Sequence, residues 1–231
     1  MHDYRNYELN KIKFYKSLNI DDINIIKKYV TDPKIFIEFG SYDAGDAVFL
    51  KNNFTNTTIY SIEACPERYS IIKKIEKLFN LNIFNYAVCD IDGFINFNQV
   101  YDPNVMDHNK KYGSSGSINK KTNFYKNNYN HLQELNSISV PSIRIDTFCK
   151  NNKINNIDYI HIDTEGAELK VLSGFGQIRP KLLRLEICYG KKYYGEFAYE
   201  QSELNDMLIS MNYTEIKQEF NKSDGFYVYN K

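Results

Sequence analysis

Three carboxylates follow an apolar segment in the second half of the chain. Ile157–Ile162 is mostly apolar, and Asp163, Glu165 and Glu168 come directly after it, grouped around Gly166. In open α/β sheets, ligands bind in the crevice beyond the carboxyl ends of the strands. Acids crowded at such an edge are costly to desolvate, so they indicate a positive ligand, a metal or a role in chemistry. The alternative is that Glu165 and Glu168 cap and solvate the helix that follows.

A second group of acids surrounds a glycine early in the chain. Gly40 ends the apolar run Ile35–Phe39, and Glu38, Asp43 and Asp46 lie around it. Glycine after a strand lets the backbone pass close to a ligand. The turn is not G-x-G-x-x-G, and a pyrophosphate would avoid its negative charge. The acids suit a cation instead, such as the amino group of an amino-acid moiety.

Glu63 ends the next predicted strand, Thr58–Ile62. A carboxylate at that place can accept both hydroxyls of a ribose, although it can equally be a surface acid at a helix start. A ligand with a ribose, an adenine and an ammonium group, but no pyrophosphate, fits the Gly40 turn and Glu63 together. S-adenosylmethionine is such a ligand.

An ordered set of segments over about residues 35–190 resembles the FkbM family of methyltransferases, which are similar to other S-adenosylmethionine enzymes of Rossmann type. The segments are Ile37–Asp43, Ser61–Ala64, Asn85–Asp90, Ile143–Thr147, His161–Glu168 with Val171–Gly174, and Leu185–Glu186. The D-x-E-G-x-E segment is the most specific. Three positions depart from the family pattern, with Glu38 in place of Asp, Ala44 in place of Gly and His161 in place of Lys.

The resemblance implies a role for each part of the site. It places the methionine part of the cofactor against Gly40, Ser41 and Tyr42, and the ribose against Glu63 with Ala64 beside it. Adenine would lie against Ala87, and Asp163 would begin the acceptor side. Ser115 and Ser117, in Gly113–Ser117, resemble a small Ser-containing motif of the family. Glu186 is the remaining predicted acceptor contact.

Methyl transfer to a hydroxyl needs a base within hydrogen-bond distance, because a hydroxyl is a poor nucleophile. We rank Asp163 and Glu165 first. His161 follows, since it shares a strand face with Asp163 and the two side chains could form an imidazole–carboxylate pair; a buried structural histidine is the alternative. Asp163, Glu165 and Glu186 would also suit Mg²⁺ or Ca²⁺ if they converged. Sequence does not show that convergence, so no metal is predicted.

Composition limits the partners of the chain. The 231 residues carry 29 basic and 29 acidic side chains, so no global charge attracts nucleic acid. The four cysteines include no C-x-x-C pair, which argues against zinc and for reduced thiols. The first residues lack the apolar core of a signal peptide, and no apolar run approaches the ~20 residues that span a bilayer. These features favour a cytoplasmic protein.

Alternation of strand and helix patterns predicts an α/β fold, a single Rossmann-like methyltransferase domain over residues 1–231. We expect a mostly parallel seven-stranded sheet, helices on both faces and an antiparallel C-terminal hairpin. Residues 1–30 read as an N-terminal extension, helical over 6–30 and capped by Asp21 and Asp22, and Ser142–Ile145 reads as a strand. Residues 101–137 lack periodicity and read as a lid or acceptor loop.

Lysines of the loop predicted to cover the site offer a place for a phosphate-bearing acceptor. They are Lys110, Lys111, Lys120, Lys121 and Lys126. A solvated lysine loop is the commoner case.

The sequence therefore predicts an S-adenosylmethionine-dependent O-methyltransferase for a hydroxyl of a sugar, glycan or related natural-product acceptor. Two alternatives stay open: an NAD-dependent nucleotide-sugar-modifying enzyme, and a non-catalytic binding module that retains the fold.

Overall fold

The computed structural model describes residues 14–105, 115–187, 191–195, 198–217 and 224–230. Twelve strands are defined there: β1 Ile35–Phe39, β2 Thr58–Glu63, β3 Asn82–Asn85, β4 Ala87–Val88, β5 Gly93–Phe97, β6 Val100–Tyr101, β7 Gln133–Glu134, β8 Ile138–Ile143, β9 Tyr159–Ile162, β10 Leu182–Glu186, β11 Tyr213–Ile216 and β12 Asp224–Tyr229.

Seven of these strands form the main sheet, in the order β11-β12-β10-β9-β1-β2-β3. Strands β3, β2, β1, β9 and β10 are parallel, and β12 runs antiparallel to both β10 and β11. The expected parallel sheet and antiparallel C-terminal hairpin are confirmed. Chain order reverses at β1, whose neighbours are β2 on one side and β9 on the other. Ligands of open α/β sheets bind at such a switch point.

Helices cover both faces of this sheet. They are α1 Ile20–Tyr29, α2 Gly45–Asn53, α3 Pro66–Ile72, α4 Glu76–Phe79, α5 Asn123–Asn128, α6 Ile145–Asn151, α7 Glu168–Ser173, α8 Lys191–Tyr194 and α9 Gln201–Ser210. Phe36 packs in the core with α1 and α2, whereas Ile37 and Phe39 pack with α6, α7 and α9. Adjacent residues of β1 are therefore buried on opposite faces, as a doubly covered parallel strand requires. In the described part of the chain, no helix combines the length and apolar character that crossing a bilayer requires.

The N-terminal segment departs from the helical prediction. Helix α1 begins only at Ile20, and its cap is Asn19, whose side chain accepts from the backbone N–H groups of Asp21 and Asp22. Residues 14–19 are not helical, because polar groups elsewhere in the fold bind their backbone. Residues 1–13 of the predicted extension lie outside the described residues.

One further element prediction changes in detail. The strand placed at Ser142–Ile145 is β8, which ends at Ile143, and Ile145 begins α6 instead. β8 belongs to a separate three-stranded sheet, in which it pairs with β4 and β5.

The segment predicted as a lid contains regular structure. Within residues 101–137, the structure has α5 and the short pair β6–β7, while residues 106–114 lie outside the described part. The Thr122 N–H donates to the Tyr193 carbonyl at 2.9 Å, which joins this segment to α8. Its paired backbone contradicts the prediction of a structureless loop; its role as a lid stays a prediction.

Candidate active site

The centre of the site is the close approach of two strand ends at the switch point. Gly40 follows β1 with φ +79°, and a Cβ there would lie 1.6 Å from the Asp163 carbonyl oxygen. The Asp163 N–H donates to the Phe39 carbonyl at 3.0 Å, and the Gly40 N–H donates to the Ile62 carbonyl at 3.0 Å. Only glycine fits this position, because any side chain would collide with the neighbouring backbone.

A crevice of about 480 Å³ opens at this point. That size is within the range of small-molecule sites. Fourteen of the fifteen predicted site residues line it: Glu38, Gly40, Ser41, Tyr42, Asp43, Asp46, Glu63, Ala64, Ala87, Ser115, His161, Asp163, Glu165 and Glu186. Ser117 is the one that does not. The fold thus brings the predicted residues together, while their individual roles stay predictions.

Glu63 closes one side of the crevice at the end of β2. Its Oε2 accepts the Tyr42 N–H at 2.8 Å and its Oε1 accepts the Cys65 N–H at 2.7 Å. Burial raises the pKa of Glu63 to about 7, against the lowering effect of these N–H groups and of Arg68. Each carboxylate oxygen has a second lone pair, so the group retains capacity to accept hydroxyl donors.

The crevice becomes apolar next to Glu63. Ala87 and Val88 of β4 line it, together with Phe97 at the end of β5. All three are buried. A flat heteroaromatic ring suits such a surface better than a charged group does, because its faces need no hydrogen-bond partner.

Asp43 and Asp46, predicted to face a ligand cation, hold the segment that precedes α1. We call residues 14–19 the N-terminal strap. Asp43 Oδ2 accepts the Tyr15 N–H at 2.7 Å, and Asp46 Oδ1 accepts the Leu18 N–H at 2.9 Å. Asp46 Oδ2 also accepts the Ser17 hydroxyl at 2.6 Å. These bonds explain why the strap is not helical: the carboxylates take N–H groups that a helix start would otherwise leave exposed.

A buried arginine lies under the strap. Arg184 Nη2 donates to Asp224 at 2.8 Å, and its Nη1 donates to the Ser17 hydroxyl at 2.8 Å and lies 2.7 Å from His161 Nε2. Burial, and secondarily the Arg184 charge, hold the pKa of His161 well below its usual range. His161 is therefore neutral, and Arg184, not Asp163, is its close polar neighbour. The predicted His161–Asp163 pair is not formed among the described residues.

The opposite side of the crevice is built from three carboxylates, which we call the carboxylate wall: Asp163, Glu165 and Glu186. One oxygen from each lies within 4.8 Å of the other two. Within the described residues, the side chains of Asp163 and Glu186 have no hydrogen-bond or ion-pair partner, and Glu186 Oε2 is buried. Burial, and next the neighbouring acids, raise the pKa of Asp163 and of Glu186 well above the usual range.

Glu165 differs from the other two because it has partners from the 101–137 segment and α8. Its Oε2 accepts from the Tyr194 hydroxyl and lies 3.4 Å from Lys121 Nζ. The Lys121 side chain is fully buried, with its Nζ 4.0 Å from the Tyr194 ring centre and 4.4 Å from that of Tyr125. Cation–π contacts of this kind stabilise a buried ammonium group.

The loop between β9 and α7 is fixed by further hydrogen bonds. The Ser117 hydroxyl donates to the Glu165 carbonyl at 2.7 Å, and the Asn119 amide donates to the Gly166 carbonyl at 2.7 Å. Glu168 is fully buried and its Oε1 accepts from the Thr164 N–H and hydroxyl. Ser117, predicted to touch the substrate, is thus engaged in holding the backbone of the loop.

Three residues of the site were not predicted from the sequence. Tyr15 and Ser17 line the crevice from the strap, and Arg184 provides a buried positive charge beneath it. Lys121, predicted as a contact for a phosphate-bearing acceptor, is buried next to Glu165. The role of Arg184 could have been predicted from the sequence, because a lone basic residue at the centre of an apolar strand pattern needs buried acidic partners. The role of Tyr15 could not, because its place depends on the fold of distant residues.

Comparison with known proteins decides the family. The sequence matches the methyltransferase FkbM domain over residues 38–221, which is most of the chain. The chain belongs to the FkbM methyltransferase family. The match favours an S-adenosylmethionine-dependent methyltransferase over the NAD-dependent and non-catalytic alternatives.

Two relatives place this family member in context. The 2-O-methyltransferase NoeI of Sinorhizobium fredii (strain NBRC 101917 / NGR234) is 26% identical over 144 residues, which cover 62% of this chain and 57% of NoeI. The match thus spans little more than half the length of that relative. A candidate caffeoyl-CoA O-methyltransferase of Staphylococcus aureus has a similar solved structure, with a TM-score of 0.51 at 11% identity over 98% of this chain and 90% of its own. At that identity, the similarity concerns the fold alone.

Proposed function

We propose that this FkbM methyltransferase transfers a methyl group to a hydroxyl oxygen of a sugar, glycan or related natural-product acceptor. The observation that carries the proposal is the carboxylate wall, whose Asp163 and Glu186 face the crevice without partners among the described residues. Hydroxyl groups are the donors that such carboxylates accept, and a polyhydroxyl acceptor supplies several. The similarity to the 2-O-methyltransferase NoeI supports O-methylation.

The cofactor fits the side of the crevice opposite the wall. Glu63 retains lone pairs for the two ribose hydroxyls, and the surface of Ala87, Val88 and Phe97 suits adenine. Gly40 lets the end of β1 pack directly against the backbone of Asp163, the first carboxylate of the wall, because a Cβ would lie 1.6 Å from the Asp163 carbonyl oxygen. Since Asp43 and Asp46 already accept N–H and hydroxyl donors from the strap, we assign them the indirect role of holding Tyr15 and Ser17 at the crevice.

S-adenosylmethionine supplies an electrophilic methyl group on its sulfonium sulfur. The chain contributes alignment and a proton acceptor. With the cofactor bound, the wall would hold the acceptor hydroxyl, and Asp163, which adjoins Gly40, would take the hydroxyl proton as the O–CH₃ bond forms and the S–CH₃ bond breaks. Placing the two reactants together is worth roughly 7–11 kcal/mol in well-oriented systems.

The charge of the wall argues for a neutral group at the transfer point. Three carboxylates would repel an anion there, and Lys121 is in contact with one of them, Glu165. Lys126 pairs with Glu134 at 2.6 Å, and Lys120 is exposed. Lys110 and Lys111 lie outside the described residues. A phosphate on the acceptor, if it has one, therefore belongs away from the wall.

Calorimetry with S-adenosylmethionine and with S-adenosylhomocysteine tests the cofactor assignment. Saturable binding of both is expected, and no binding of either at millimolar concentration would refute it.

A panel of neutral sugars, nucleotide sugars, phenols and carboxylic acids tests the acceptor class. The expected product is a sugar ether that is stable to mild base. Turnover of phenols or carboxylic acids alone would contradict the sugar assignment and leave the methyltransferase assignment intact.

A further inference from the structure

The carboxylate wall carries more negative charge than its described neighbours compensate. Asp163, Glu165 and Glu186 supply three carboxylates, and within the described residues Lys121 is the one basic side chain in ion-pair contact with them. Buried charges are paired with other charges or coordinate metals. Asp163 and Glu186 thus have no hydrogen-bond or ion-pair partner of their own in the described part of the chain.

The orientation of the Glu186 side chain indicates where a positively charged ligand would bind. Its Oε2 has almost no accessible surface and no hydrogen-bond partner among the described residues, yet the side chain lines the crevice beside Asp163. A surface acid would turn its oxygens into water. Here the strand end of β10 aims the carboxylate at the same point as the strand end of β9, so the arrangement comes from two separate elements of the rigid sheet.

Another group of potential ligands in the same crevice makes a useful contrast. Glu38, Asp46 and His161 also lie within 4.8 Å of one another. Arg184 lies 2.7 Å from His161 Nε2, however, and Asp46 accepts two donors from the strap. A fixed guanidinium repels a metal ion and already compensates the acids. On the carboxylate wall, the cation in contact among the described residues is Lys121, and it contacts Glu165 alone, which leaves the oxygens of Asp163 and Glu186 available to an ion.

We propose that Asp163, Glu165 and Glu186 bind one hard divalent cation, Mg²⁺ or Mn²⁺, on the acceptor side of the crevice. Carboxylate oxygens are the ligands that such ions take, and one or two carboxylates with water and substrate oxygens suffice for Mg²⁺.

The inference rests on the proposed function and gives the cation a task within it. Water or acceptor oxygens would complete the coordination, and two vicinal hydroxyls of a sugar can chelate one ion. A bound cation lowers the pKa of a coordinated hydroxyl. Ligation through one oxygen of Asp163 leaves its second oxygen to accept the hydroxyl proton, so methyl transfer remains balanced with a neutral thioether as the second product.

Electron paramagnetic resonance of Mn²⁺ titrated into the full chain tests the site without any turnover. We expect one bound Mn²⁺ per chain, displaced by excess Mg²⁺. Asp163→Asn and Glu186→Gln should each weaken binding by at least about tenfold, because each removes an anionic ligand. Asp102→Asn is the matched control: Asp102 lines the same crevice outside the wall, so its removal should leave Mn²⁺ binding unchanged.

Two results would overturn the cation site: no Mn²⁺ binding at millimolar concentration, or equal binding by the native chain and the wall variants. Thermal unfolding guards against variants that fail to fold. Mg²⁺ should raise the melting temperature of the native chain and of Asp102→Asn, but not that of Glu186→Gln. Calorimetry with S-adenosylhomocysteine in the presence of a chelator separates the two proposals, because cofactor binding that persists without Mn²⁺ binding removes the cation alone.

Discussion

The affinity of the protein for its cofactor should depend on pH through Glu63. This carboxyl lies at the end of β2, it is 4% exposed, and burial raises its pKa to about 7. Ribose hydroxyls donate hydrogen bonds, so they bind the ionised carboxylate better than the protonated acid. The sign follows directly: as pH falls through 7, Glu63 takes up a proton and S-adenosylhomocysteine should bind more weakly.

The size of the effect follows from the same pKa. If only the ionised form binds, about nine-tenths of the protein is competent near pH 8 and about one-tenth near pH 6. The dissociation constant should therefore rise roughly tenfold between these conditions, equivalent to about 1.4 kcal/mol. Burial raises the pKa of Cys65 to about 12, so its thiol stays neutral.

Isothermal titration of S-adenosylhomocysteine near both pH values provides the measurement. Glu63→Gln is the control: it cannot ionise, so it should bind weakly and with nearly equal affinity at the two pH values. A pH dependence that comes from Asp163 or Glu38 would survive in this variant. The reasoning is refuted if the native chain shows no change, or if Glu63→Gln retains the tenfold change.

Three further substitutions test other parts of the site. Gly40→Ala should lower the free energy of unfolding in urea by about 1–3 kcal/mol or more, because it combines a positive φ with a Cβ that meets the Asp163 carbonyl; unaltered unfolding would contradict the close approach of the strands. Tyr15→Ala should raise the dissociation constant of S-adenosylhomocysteine by roughly fivefold, which corresponds to about 1 kcal/mol of lost aromatic contact. The urea midpoint of unfolding should stay nearly constant, because the Tyr15 side chain is exposed. Arg184→Met should cost about 3–5 kcal/mol in urea unfolding, since it leaves Asp224 buried without this cation; a loss below about 1 kcal/mol would show that the arginine is dispensable.

The sequence predicts where the site lies better than it predicts which side chains contact each other within the site. Apolar runs ended by Gly40, Glu63 and Asp163 place three strand ends at one edge, since parallel strands expose their carboxyl ends together. That argument needs only local patterns and the alternation of strand and helix. The family resemblance adds residues such as Ala87, Ser115 and Glu186, and fourteen of the fifteen residues predicted in these two ways line the crevice.

Partner assignments fail where the partner lies far away in sequence. The acids near Asp46 predict that it faces a ligand cation, yet its side chain accepts from Ser17 of the strap. Strand alternation predicts a pair between His161 and Asp163, yet Arg184 of the adjacent strand lies closer to the imidazole. Alternation fixes which face a side chain is on, but the register between strands decides what it meets there.

The acidic side chains on the two sides of the crevice are stabilised in different ways. This difference distinguishes acids that stabilise the fold from acids that are available to a ligand. Near the Gly40 turn, Asp43 and Asp46 are satisfied by N–H and hydroxyl groups of the strap, and Arg184 compensates the charge of Asp46 from below. Acids satisfied in this way stabilise the fold and need no ligand.

On the carboxylate wall, the fold provides Lys121 and Tyr194 for Glu165 but nothing among the described residues for Asp163 and Glu186. Keeping two such groups is costly for folding, because each must hold a proton or remain an uncompensated charge. A gain in ligand binding or catalysis offsets that cost. Asp163 and Glu186, more than the acid-rich sequence around them, are therefore the residues at which we propose that the acceptor and its cation meet the cofactor.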